Sequence, residues 1–289
     1  MDVSFEQWTQ GRTLQSFGTN SGAESLPFQR WRHFKEAFAP EIVARAVSES
    51  ERTVSQCLDP FGGSGTTALA CQFLGVKPVT IEVNPFLADL IEAKLTCYDT
   101  DKLINDLSAV AREACNSRVR AGRIFHFAPR TFVEPGVNGR WIFDKRIADR
   151  IAVLLTAIES LRSRTSRRLF RVILGGVLVN VSNAVVNGKG RRYRSNWSSR
   201  QNTGGDPDHL FFAAARSAII DVHSFKRRKT NEFEVFRGDS RRVLPRIKKV
   251  DLAVFSPPYP NSFDYTDVYN IELWTLGYQL RVIGLGAKE

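Results

Sequence analysis

Apolar residues in the first hundred positions alternate between two spacings. TVSQCLDP (53–60) and KPVTIEVNP (77–85) are compact apolar runs that each reach an acid, Asp59 and Glu82. Their length and β-branched content predict buried strands. ALACQFLG (68–75) and FLADLIEAKL (86–95) carry the longer helical spacing, and Gly75 closes the first of them. Upstream, WRHFKEAFAPEIVARAVSES (31–50) predicts a helix with Pro40 near its first turn and Ile42, Val43, Ala46 and Val47 on one face. Strand, turn, helix and strand together open a parallel α/β sheet.

Between residues 100 and 230 helical spacing dominates. KRIADRIAVLLTAIESL (145–161) places Ile147, Ile151, Leu154, Leu155 and Ile158 on one face. LFRVILGGVLVNVSNAVV (169–186) is read as a buried, helical element despite its valines, and residues 187–208 as a long basic loop. HLFFAAARSAIIDVHSF (209–225) is a further helix, and FEVFRG (233–238) and VDLAVF (250–255) are further buried strands. The expected organisation is an α/β sheet with a large, mostly helical insertion. Residues 1–98 and 231–289 would form the sheet domain, and 99–230 the insertion.

At 289 residues and 43% apolar content the chain can bury a sizeable core. No apolar run approaches the roughly 18 residues of a membrane helix, and MDVSFEQWTQGR lacks the cationic start of a signal peptide. A cytoplasmic protein with no membrane partner is expected. Cys57, Cys71, Cys97 and Cys115 form no CxxC pair and do not group with His33, His126, His209 or His223. That pattern predicts reduced, mostly buried thiols and no metal site.

Charge alters the picture more. The net charge of +11 suggests a polyanionic partner. Its distribution is sharper still, because no acid occurs between Glu159 and Asp206 while ten Lys and Arg residues do. Within that stretch Arg191, Arg192, Arg194 and Arg200 are interleaved with Tyr193 and Trp197. Cations with aromatic rings between them suit phosphate contact and base stacking.

Chemistry concentrates at the ends of the expected strands. DPFGGSGTT (59–67) sets Gly62, Gly63 and Gly65 where a strand hands over to a helix, so a ligand can approach the main chain. No Gly-Lys-Ser/Thr follows, which argues against a phosphate loop. Glu82, about 20 residues on, stands where an acid accepts ribose hydroxyls in nucleotide sites. Asp239 in RGDSRR ends a third strand and could receive an adenine amino group or cap the next helix. Ser256-Pro257-Pro258-Tyr259 ends a fourth. There a serine oxygen and a rigidly held proline carbonyl can hold an amino group while a tyrosine stacks on an extruded base.

Together DPFGGSGTT, IEVNPF and SPPY resemble the DNA amino-methyltransferases, which methylate an exocyclic amino group with S-adenosylmethionine. The resemblance covers residues 27–94 and 233–275 and implies a Rossmann-like methyltransferase sheet. It implies Phe38, Asp59, Phe61, Gly63, Gly65, Thr66, Glu82 and Asp239 around the cofactor, and Ser256, Pro257, Pro258 and Tyr259 as the catalytic grip on the base. The serine form goes mostly with cytosine, so N4-methylcytosine in DNA is expected, with adenine N6 as the alternative. The insertion, with Arg191, Arg192, Arg194, Trp197 and Arg200, would contact nucleic acid and recognise the target. An RNA guanine substrate and a silent DNA-binding subunit are the remaining rivals.

Family members normally continue with three further strands beyond the fourth, whereas 30 residues follow Tyr259 here. The C-terminal strands of the sheet are therefore expected to be missing, which leaves the strand containing Val254 as an open apolar edge. A second polypeptide completing the sheet, a truncated product, or a binding subunit without activity would each account for that.

Overall fold

A computed structural model describes residues 2–13, 22–34, 37–187, 190–199, 206–258 and 265–278. The helices through residue 125 are α1 (Phe5–Trp8), α2 (Glu41–Ser48), α3 (Thr66–Leu74), α4 (Pro85–Leu95), α5 (Thr100–Asn116) and α6 (Gly122–Phe125). They continue as α7 (Lys145–Glu159), α8 (Arg164–Val181), α9 (Asp206–Ser224), α10 (Ser240–Val243), α11 (Tyr265–Val268) and α12 (Asn270–Thr275). The strands are β1 (Gln56–Asp59), β2 (Lys77–Glu82), β3 (Ala184–Asn187), β4 (Gly190–Tyr193), β5 (Glu234–Arg237) and β6 (Leu252–Ala253).

The chain divides into two compact units. Residues 1–100 and 218–258 form one, and 101–217 with 259–289 the other. The first contains a four-stranded sheet of order β5-β2-β1-β6, parallel at every pairing. Its register sets Asp59 opposite Thr80 and Glu82 opposite Arg237. Parallel strands paired this way end on the same side, so the acids are gathered there by topology. The flanking helices begin and end where local chemistry dictates. Asn84 caps α4 by accepting the Phe86 and Leu87 N–H groups at 2.9 and 3.3 Å, with Pro85 opening the helix. Gly75 closes α3 at φ +83°.

In the second unit α7 buries Ile147, Ile151, Leu154, Leu155 and Ile158, and α8 buries Leu169, Ile173 and Leu178. Each such side chain contributes about 1.5–3 kcal/mol on burial. The structure corrects the element that follows. The helix stops at Val181, and Ala184–Asn187 pairs antiparallel with Gly190–Tyr193. The β-branched run Val185-Val186 meets a partner strand and leaves the helix, so the expected helix and basic loop are a helix followed by a hairpin.

Two other expectations are corrected. VDLAVF forms a ladder of only two residues at the edge of the described sheet, with Ala253 and Phe255 exposed, because a strand with one partner buries less than a central one. Cys57 and Cys71 are buried, but Cys97 and Cys115 are exposed. Both exposed thiols stand at the ends of helical segments, where the chain turns into solvent. Among the described residues no helix is long and apolar enough to cross a membrane, and no group of three or more His, Cys, Asp or Glu could hold a metal ion.

Candidate active site

The turn between β1 and α3 is built around three glycines with different duties. A side chain on Gly62 would come within 2.4 Å of the Thr80 methyl and 2.8 Å of Ile91, so that position is a packing constraint. Gly63 and Gly65 adopt φ of +52° and +80°, which side-chain-bearing residues rarely accept. Gly65 starts α3 in this conformation and its N–H bonds the Gly62 carbonyl at 2.8 Å. The sharp turn follows directly from where the glycines fall in the sequence.

Asp59 and Glu82 face this turn from the ends of β1 and β2. Asp59 is 3% exposed, and its carboxylate accepts the Phe61 N–H at 3.0 Å. Burial pushes its carboxyl up to about 6, against the lowering effect of hydrogen bonds from Phe61 and Thr67. Glu82 accepts the Gly63 N–H at 2.7 Å on one oxygen and the Asn84 N–H at 2.7 Å on the other. Burial again dominates and pushes it up to about 7, with the Asp59 charge adding to the rise. Two buried acids with few fixed donors are poised to receive hydroxyls or a cation.

The remaining assigned positions are placed as follows. Phe61 is half-buried and its ring lies 5.8 Å from that of Phe255, one residue before the Ser-Pro-Pro segment. Thr66 is buried, with its hydroxyl 3.1 Å from that of Ser64. Phe38 is half-buried ahead of α2, while Phe34 is the ring a side chain on Gly63 would meet, at 3.2 Å. Asp239 caps α10 through the Arg241 N–H at 2.9 Å, and the Arg241 guanidinium holds its carboxyl down at about 2. Ser256 is half-buried with Pro257 and Pro258 exposed after it. Val254, two residues earlier, is tied to β1 and α3 by bonds to the Leu58 carbonyl at 3.1 Å and from the Thr67 hydroxyl at 3.3 Å. Tyr259 lies outside the described residues.

In the second unit the basic positions separate into different roles. The Arg191 N–H and guanidinium both reach Asp267, at 2.9 and 3.4 Å. Arg194 donates to the Val179 and Ser182 carbonyls at 3.2 and 3.3 Å, satisfying the end of α8. Arg192 is exposed. Trp197 is half-buried, with its ring 5.3 Å from Trp141 and 5.5 Å from Tyr193, and Arg140 lies over the Tyr193 ring at 5.9 Å. Arg200 lies outside the described residues.

Sequence reasoning missed Gln29 and Lys94. Lys94 is fully buried, and its amine bonds the Ser64 carbonyl at 2.7 Å and Gln29 Oε1 at 3.0 Å. The available signal was spacing, because Lys94 follows Leu87 by seven and Leu90 by four residues on the buried face of α4.

Residues 5–93 match the family model described as DNA methylase. The chain is 25% identical to a Type II methyltransferase, M.AvaI, of Nostoc sp., over 92% of this chain and 57% of that protein. It is 24% identical to M.BsoBI of Geobacillus stearothermophilus, over 94% and 56% respectively. A shorter stretch of 70 residues is 34% identical to M.MjaII of Methanocaldococcus jannaschii, covering 24% of this chain and 13% of that protein. The chain thus spans somewhat more than half the length of the first two relatives.

Proposed function

We propose that this chain, a member of the N4-cytosine/N6-adenine DNA methylase family through residues 5–93, transfers a methyl group to the exocyclic amino nitrogen of a DNA base. Type II DNA methyltransferases of this family use S-adenosylmethionine, which supplies an electrophilic methyl carbon on a cationic sulfur when bound. The observation that carries the proposal is the pair Asp59 and Glu82 at neighbouring strand ends, which accept the Phe61 and Gly63 N–H groups of one glycine turn.

The residues present fit that molecule. Glu82 accepts backbone N–H groups on both oxygens, and a ribose hydroxyl would donate to the same carboxylate. Asp59 is buried against the ionised form, and a cation beside it would restore its charge. Gly63 and Gly65 keep the turn free of side chains, Phe61, Thr66 and Phe38 line it, and Asp239 takes the adenine end. The sheet of these residues is Rossmann-like in this reading.

Ser256 and the Pro257 carbonyl accept the hydrogens of the target amino group and aim its lone pair, with Pro258 fixing the segment and Tyr259 stacking on the base. Orientation then supplies much of the rate. The finer proposal is cytosine N4, because serine opens the tetrapeptide. The region 99–230 reads the target through Arg191, Arg192, Arg194, Trp197 and Arg200, while 1–98 and 231–289 perform the chemistry. A second polypeptide that adds strands beside β6 belongs to the same proposal.

Nucleoside mass spectrometry on DNA from a methylation-free host expressing the chain tests this. N4-methylcytosine that disappears in the Ser256→Ala variant is the expected result. N6-methyladenine would keep the mechanism and overturn the base. A soluble protein that leaves no mark on DNA, with or without its Ser256 hydroxyl, would overturn activity of this chain alone.

A further inference from the structure

Lys94 is an expensive residue where it stands. Its side chain has no exposed surface, its amine bonds neutral oxygens of Ser64 and Gln29, and burial pushes it down to about 7. An ammonium withdrawn from water costs several kcal/mol, and an apolar side chain of similar volume is often equally or more stable in such a place. Packing alone therefore does not explain it.

Its partners close a circuit around the glycine turn. Gln29 accepts from Lys94 with its oxygen and donates with its nitrogen to the Thr66 hydroxyl at 3.3 Å. The Ser64 and Thr66 hydroxyls are 3.1 Å apart. Lys94 and Gln29 thus grip the turn at Ser64 and Thr66, which bracket Gly65 and follow Gly63. Gln29 is itself fixed from behind. Phe28 adopts φ +67°, unusual for a residue with a side chain, and its N–H reaches Asp221 Oδ2 at 2.9 Å. The same oxygen accepts the Trp31 indole N–H at 2.9 Å, and the other accepts the Arg30 guanidinium. Asp221 therefore offsets the cost of a strained turn whose effect is to place the Gln29 amide.

We propose that Lys94 and Gln29 are positioning residues for the methyl donor, setting the Ser64–Thr66 turn and, through the Gly63 N–H, the carboxylate of Glu82. This rests on the reading above that the turn holds S-adenosylmethionine. Neither residue touches the donor in this assignment; each acts through the main chain it holds.

Calorimetric titration of the full chain with S-adenosylhomocysteine, alongside thermal melting, tests the assignment. Lys94→Met is expected to weaken binding about tenfold, through loss of the two hydrogen bonds its amine makes to Ser64 and Gln29, with melting followed to establish that the variant is folded. Gln29→Leu is expected to weaken binding about threefold. The double variant is expected to bind within twofold of Lys94→Met, because both residues act through one turn. Parental affinity in a folded Lys94→Met variant would overturn the proposal, as would multiplicative losses in the double variant. If Lys94→Met does not fold, Gln29→Leu decides, and parental affinity there overturns it. A parent chain that fails to bind the probe overturns this proposal and the cofactor reading together, whereas parental binding that survives Lys94→Met overturns this proposal alone.

Discussion

The glycine turn and the basic hairpin use charge in opposite ways. At the turn, Asp59 and Glu82 are withdrawn from water, and burial pushes both toward their neutral forms. In the proposed function their remaining capacity is turned toward the cofactor. Along α8 and the hairpin that follows it, charge dense enough to suggest a polyanion is partly consumed inside the unit. Arg171 and Arg167 pair with Glu159, Arg191 with Asp267, and Arg194 with the carbonyls that end α8. Arg162, Arg164 and Arg192 are exposed. An acid-free sequence is thus not the same as an uncompensated surface, because acids from elsewhere in the chain fold against it. Charge count alone therefore does not mark a binding surface.

Three experiments would break or sharpen that contrast. The largest effect is expected from Gly65→Val, which forces a branched residue to φ +80° with Ile91 only 3.0 Å from its Cβ. Urea unfolding should register a loss of about 3 kcal/mol, and binding of S-adenosylhomocysteine should disappear. Next, pH separates the two regions. Glu82 holds its proton more tightly folded than unfolded, so stability should fall as pH rises from about 4.5 to about 7 and then level off. The shift corresponds to about 3 kcal/mol, and Glu82→Gln should remove that part of the profile when melting is followed against pH. Cofactor affinity should climb over the same window, since hydroxyl donors favour the ionised carboxylate.

The smallest effects distinguish the arginines of the hairpin. Arg194→Ala should lower stability by about 1.5 kcal/mol, through lost bonds to helix carbonyls. Arg192→Ala should leave melting unchanged, weaken binding to duplex DNA about threefold and reduce the salt slope by about one. A destabilised Arg192→Ala protein, or an Arg194→Ala protein that changes only its salt dependence, would reverse the roles read from the structure.

Much of the sheet unit was legible in the chain. TVSQCLDP, the glycine turn, KPVTIEVNP and the helix capped by Asn84 each carry their own local instructions: period, turn residue, cap and stop. The helix face from Ile147 to Ile158 was legible for the same reason, since every residue on it is buried. The hairpin was not, because Val185 and Val186 extend an apolar run that a helix could also have used.

By itself the sequence determined which residues could sit at strand ends, and that three glycines would keep one turn open. Those are properties of neighbouring residues and backbone angles, and they are written within a few positions of each other. Only the tertiary structure decided that Lys94 is buried, that Gln29 reaches it across 65 positions, and that Asp221 holds the turn presenting Gln29. It also decided which arginines stay open to solvent. Burial and pairing depend on what packs over a side chain, and that partner can come from anywhere in the chain.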